Sequence, residues 1–153
     1  MRILVYWDNQ EDADLIGMYL NPEADEKSSA SDAKNEVLVV ATEETYHEAL
    51  EADKGWDILF LNLSWPDPEV GFEYFSAARR KLIDAPIVGA CDTSDVFRLA
   101  RYIMNGLRSY LIRDAGKDYI FLIQATLESA LESVKAERER IISEKLREEV
   151  ESL

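Results

Sequence analysis

The residues best placed to do chemistry in this chain are Asp8, Asn62, Asp67, Cys91 and Arg113, each at or just beyond the end of a short apolar run. Asn62 closes the run Asp57-Ile58-Leu59-Phe60-Leu61-Asn62, whose length and uniform apolarity predict a fully buried central strand. Trp65-Pro66-Asp67 ends it abruptly. In an open parallel sheet the carboxyl ends of the strands gather the chemistry, so a reactive group is expected where Asn62 stands. An amide there hydrogen-bonds or coordinates but is a poor nucleophile. Asp8 follows the first run, and it either caps the next helix or pairs with Arg113. Cys91 reads as a small buried hydrophobe rather than an exposed thiolate. His47, the only histidine, lies among Glu43, Glu44 and Glu48 and reads as a solvated surface residue with no partner for a metal site.

Five apolar runs alternate with helical periodicity to position these groups. Ile3 to Tyr6 is the first, followed by a polar turn and a helix bearing Leu15, Ile16, Met18, Tyr19 and Leu20. Residues 21–35, with Pro22, three serines and mixed charge, predict a mobile loop. Val37 to Ala41 is the second run, and Thr42 is the N-cap candidate for a helix that stops near Lys54-Gly55. The third run ends at Asn62 and leads to a helix with Phe72, Phe75, Ala78 and Leu82 on one face. Pro86 to Ala90 is the fourth, and Cys91-Asp92-Thr93-Ser94 offers caps for a helix carrying Val96, Leu99, Ala100 and Ile103, stopped by Asn105-Gly106. Ser109 to Ile112 is the last, closed by Arg113-Asp114-Ala115-Gly116. Strand and helix alternation with short turns requires parallel right-handed crossovers, an α/β doubly wound sandwich. For five strands the flavodoxin-like order 2-1-3-4-5 is expected.

Composition narrows the function classes. At 153 residues and 47% hydrophobic content the chain supports one domain with a proper core plus an appendage. Its 31 acidic against 17 basic residues, a net charge of −14, argue against a nucleic-acid-binding surface. A single cysteine excludes an intrachain disulfide, and no apolar run approaches membrane-spanning length. Met1-Arg2-Ile3-Leu4-Val5 is too short and too quickly acidic a start for a signal peptide, so a cytoplasmic location is expected. No strand is followed by a Gly-rich phosphate loop, which disfavours a nucleotide or flavin sensor.

From Lys117 to Leu153 there is neither proline nor glycine, and the composition favours helix throughout. Such a helix runs on the order of 50 Å and must leave the globule. The division expected is therefore a domain over 1–127 and a helical extension over 128–153. Leu131, Ile142 and Leu153 recur at an eleven-residue spacing, with Leu127, Val134, Ile141, Leu146 and Val150 beside them. This stripe predicts a parallel coiled-coil homodimer whose main contacts are Leu127, Leu131, Val134, Ile142 and Leu146, able to connect to an effector domain.

The ordered motifs Ile-Leu-Val-x-x-Asp, Asp-Ile-Leu-Phe-Leu-x-Leu-Ser-x-Pro-Asp, Ala-Pro-Ile-Val and Gly-Leu-Arg-Ser-Tyr-Leu-Ile-Arg resemble the receiver domains of two-component response regulators over about residues 1 to 127. The resemblance implies phosphoryl transfer from a histidine kinase to an aspartate ending the third strand, beside a Mg²⁺ held by two acids, a hydroxyl after the fourth strand and a lysine after the fifth. In this chain Asn62 stands at the attacking position, Trp7 at the first acid, with Asp8 as the second, Cys91 (or Ala90) at the hydroxyl and Arg113 at the lysine, followed by Asp114 instead of proline. Tyr110 matches the family's switch aromatic, or is simply packing. A lone carboxylate with an amide is a poor Mg²⁺ site, so no metal, with Asp8 the sole weak candidate, and no other cofactor is expected. Trp7 and Trp65 are expected to fill the space of the phosphoryl group. The implied reading is a degenerate, non-enzymatic receiver that signals by dimerisation; its rival is a receiver phosphorylated at another acid, Asp67 or Asp8.

Overall fold

A computed structural model describes residues 2–20, 36–52, 55–65, 67–82, 84–113 and 118–151. Five strands, β1 (Arg2–Tyr6), β2 (Glu36–Val40), β3 (Ile58–Asn62), β4 (Ile87–Asp92) and β5 (Ser109–Arg113), form one parallel sheet in the order β2-β1-β3-β4-β5. The helices are α1 (Gln10–Leu20), α2 (Glu43–Leu50), α3 (Pro68–Lys81), α4 (Leu99–Met104) and α5 (Ile120–Glu151). The flavodoxin-like topology expected from the alternation is the one found. Residues 21–35 and Asp114, both read from the sequence, lie outside the described residues, as does Leu153.

Side chains alternate across the sheet, as a pleated strand requires. Leu4, Tyr6, Leu59, Leu61 and Ile87 face one side, where α2, α3 and α4 supply Tyr46, Leu50, Phe75, Ala78 and Tyr102. Ile3, Val5, Ile58, Phe60 and Val88 face the other, covered by Ile16 and Leu20 of α1 and by Ile120, Ile123, Leu127 and Ala130 of α5. Burial on both faces is why β3 reads as an unbroken apolar run. Register brings the carboxyl ends level: Tyr6 pairs with Val40 and Leu61, Asn62 with Ala90, and Asp92 with Arg113.

Local signals behave largely as read. Thr42 caps α2 in a reciprocal box with Thr45, although the helix ends at Leu50, before the expected Lys54-Gly55 stop. Asp67 caps α3, its Oδ1 accepting from the amides of Glu69 and Val70 at 2.9 and 3.1 Å. The fourth helix departs from expectation: its first part, Thr93–Arg98, winds as a 3₁₀ helix, Asp92 makes no capping hydrogen bond, and only Leu99–Met104 is α-helical. Gly106, at φ 105°, then terminates it in the left-handed region. No described helix is long and apolar enough to cross a membrane.

The long helix stays in contact with the globule further than its sequence pattern suggested. Leu127 is 1% exposed inside the α1/α5 core, and Leu131 packs against the same cluster. Leu127 is thus a core residue of the globule, and the exposed apolar residues of the distal helix begin at Ile141. Beneath the sheet, Glu137 pairs with Arg108, and Arg138 donates to the carbonyl of Asp84 at 3.1 Å.

Close approach of α3 to the β3 turn is built on Gly71, where an added Cβ would lie 2.2 Å from the Leu63 carbonyl oxygen; at Gly17, inside α1, it would meet nothing within 4 Å. Gly71→Ala is therefore expected to destabilise the fold by about 1–3 kcal/mol through backbone overpacking. Gly17→Ala is expected to stabilise it by about 0.5–1 kcal/mol through helix propensity. Urea denaturation of the two variants checks both signs.

Candidate functional site

The level carboxyl ends of β1, β3, β4 and β5 place Asp8, Asn62, Asp92 and Arg113 on one crest. Asp8 does not cap α1. That role falls to Asn9, whose Oδ1 accepts from the amides of Glu11 and Asp12 at 2.9 and 3.2 Å. Asp8 is left to face Arg113, which grips it with both terminal nitrogens: Nη1 donates to Oδ1 at 2.7 Å and Nη2 to Oδ2 at 3.2 Å. The Nε of the same guanidinium stands 3.2 Å from Asp92 Oδ1. One arginine thus bridges the ends of β1, β4 and β5, the fork geometry that a lysine lacks.

Asn62 completes the network. Buried at 2% exposure, it donates through Nδ2 to Asp8 Oδ1 at 2.9 Å and accepts through Oδ1 from the Ser64 amide at 3.0 Å. Ser64 passes the chain of contacts onward, its Oγ accepting from the Asp92 amide at 2.9 Å. Burial alone would raise the Asp8 carboxyl, but the hydrogen bonds and charge of Arg113 outweigh it and hold it below the usual carboxylate range. The converse holds for Arg113: burial opposes its charge, while Asp8 foremost and Asp92 raise it above the ordinary arginine value.

Trp7 lies elsewhere than expected. Fully buried, it points into the α1/α5 core layer, stacked on Phe60 at 5.2 Å and Tyr119 at 5.9 Å, with Arg113 5.4 Å from its ring. It backs the arginine and does not plug a pocket mouth. Trp65 packs on Tyr6 on the opposite face of the sheet at 5.1 Å. Since a strand's side chains alternate, adjacent Tyr6 and Trp7 were bound to diverge. Behind Trp7, the Tyr119 hydroxyl donates to buried Asp12 at 3.1 Å, and burial followed by the Asp12 charge pushes that phenol well above its ordinary value.

Of the remaining candidates, Cys91 is buried among the residues packed under α3 and α4, and burial, then Asp95 and Asp92, push its thiol up to about 11. It is Asp92, the next residue, that reaches Arg113. Tyr110 is 45% exposed on β5, neither packed nor part of the network. Asp67 is spent on its cap. His47 forms an exposed pair with Glu43 at 3.7 Å. Among the described residues no group of three His, Cys, Asp or Glu side chains is arranged to hold a metal ion. The crest does not fit a hard divalent cation: both oxygens of its innermost carboxylate are already occupied by Arg113, and Trp7 stands in place of the first acid. Ser64, Asn9 and Asp92 were missed as site residues. Only the ambiguity of Asp92, which precedes a helix yet ends a strand, hinted at the last.

No family model matches the sequence, and no curated protein does. Solved structures match over nearly the whole chain. A receiver domain protein (CheY-like) from Methanospirillum hungatei is 17% identical with a TM-score of 0.68, covering 89% of this chain and 97% of that one. NtrX from Brucella abortus, 19% identical with a TM-score of 0.69, covers 90% of this chain, which spans only 28% of NtrX. The fold is that of a receiver domain. Full-length FixJ from B. japonicum, 18% identical with a TM-score of 0.68, covers 99% of this chain and 68% of its own.

The ion pair on this receiver-fold crest sets a pH dependence. The folded Asp8 carboxyl titrates below its unfolded value of about 3.9, so its stabilisation is complete above that value and is lost as pH falls through the folded pKa. The denaturation midpoint of the wild type should fall toward that of Asp8→Asn as pH drops from about 5 to about 2. In Arg113→Ala, where only the Asn62 and backbone hydrogen bonds remain to oppose burial, NMR titration should show the Asp8 carboxyl raised relative to the wild type.

Proposed function

We propose that the chain is a pseudo-receiver, a cytoplasmic signalling module of the response-regulator kind that works without phosphorylation. The observation that carries this reading is the Arg113 guanidinium seated on both oxygens of Asp8, with an amide, Asn62, at the strand tip. In a phosphorylated receiver the switch is the arrival of charge at that tip, balanced by a metal and a lysine. Here a carboxylate, an amide and an arginine balance one another from within, so there is neither a nucleophile nor a vacancy for the metal. The crest is held in one state. The module is not an enzyme and needs no cofactor.

Its output runs through α5. Ile141, Ile142, Leu146 and Val150 are exposed along the distal part of the helix, and covering them in a homodimer would stabilise the pair and pass its geometry to an effector domain following the helix. The residue division follows the same logic, a receiver-like globule to about residue 127 and a dimerising extension over 128–153, with Leu131 and Val134 at the junction. A reading in which Asp67 or Asp8 accepts phosphate is disfavoured because the first is committed to a helix cap and the second to Arg113.

Acetyl phosphate or beryllofluoride with Mg²⁺ should produce no adduct by intact mass and no chemical-shift change on the crest. A stable adduct, located by its loss in Asp8→Asn or Asp67→Asn, would replace this reading with the phosphorylated one. Separately, the double substitution Ile142→Glu with Leu146→Glu is expected to give a monomer in sedimentation experiments while circular dichroism stays that of the folded chain.

A further inference from the structure

Every described residue of α5 after Val134 is exposed, and Glu137 and Arg138 tether the helix to the globule. The segment Glu139–Glu151 extends about 20 Å, a length at which a helix alone is marginal in water. Its four exposed aliphatic side chains, at about 100 Å² apiece, bury on the order of 800 Å² when two such helices pair. Stable dimers bury on the order of 1,200–2,000 Å². The distal helix therefore needs further surface, and the globule offers it alongside.

A groove of about 590 Å³ runs between α5 and the amino ends of the central strands, with Trp56, Ala85 and Pro86 as its floor and Leu131 and Val134 as its wall. Ile142 lines its outer end, so the groove is continuous with the exposed stripe. Its rim is acidic, with Asp57, Asp84, Glu132 and Glu139 against Lys135 and Arg138. The stretch from Arg140 to Arg147 has the opposite balance: Arg140, Lys145 and Arg147 against Glu144, in a chain of net charge −14.

Resting on the dimer reading above, we propose that a second copy of this chain lays the Arg140 to Arg147 segment of its α5 into this groove, and receives the same in return. Such a contact is isologous, the two α5 helices running antiparallel with each basic, apolar segment against the partner's acidic rim. A parallel pairing would instead set like charges opposite one another at Arg138 and at Lys145. The Arg147–Glu151 pair within the helix, 3.5 Å long and exposed, yields readily to the new partner.

Sedimentation equilibrium of the whole chain, with circular dichroism confirming that each variant is folded, tests the docking. K145E/R147E and D84K/E132K should each weaken the dimer about tenfold or more, and the four changes together should restore it to within about threefold of wild type. Failure of the combined variant to recover, or wild-type affinity in both charge variants of a dimer that I142E/L146E still dissociates, overturns the groove docking and leaves the α5 dimer standing. A monomeric wild type overturns both.

Discussion

A single guanidinium ties together the charged crest of this sheet. In a parallel sheet every crossover returns to the same starting edge, so polar strand ends collect along the opposite one, and their charges must be balanced where water is partly excluded. Arg113 is shared between Asp8 and Asp92, which leaves one net negative charge on the crest, and Asn62 donates a further hydrogen bond to Asp8. The arrangement joins the ends of β1, β3, β4 and β5 through a set of internal bonds. Removing one member would leave a partly buried charge without its partner, a costlier event than the net worth of the pair.

The architecture was legible because it rests on repeated, local signals. Alternating apolar runs and helical stripes, Thr42 before its helix and Asn105-Gly106 after Met104 each name a boundary with a physical cause. The crest was legible in part. Asn62, Asp8 and Arg113 could be brought together by counting strands, since a strand end is a predictable place. The direction of Trp7 and Trp65 required the strand's pleat as well as its position, and there bulk was a poor guide. Ser64 enters the network through a turn whose geometry no periodicity encodes, and Asp92 through the register of β4 with β5. The helix stripe misled for a similar reason: Leu127 and Leu131 satisfy a dimer pattern and a core pattern equally, and only the position of the sheet decides between them.

The division of α5 into a packed half and an exposed half gives the fold two chemical characters. The globule packs an apolar core on each face of the sheet while leaving side chains such as Phe97, Met104 and Phe121 exposed, whereas the distal helix has no core of its own and presents aliphatic side chains among charges of both signs.

β5 carries one arginine just before it and another at its end. Arg108 is bonded to Glu137 below the sheet, and Arg113 to Asp8 and Asp92 above it. Edge strands are the part of a sheet most prone to slide in register or to recruit a foreign strand. A slip of one residue here would turn Leu111 out of the core and tear both arginines from their partners together. The weakest margin of the sheet is thereby moored at its two ends, and a pull on the long helix would be borne along the strand to the crest.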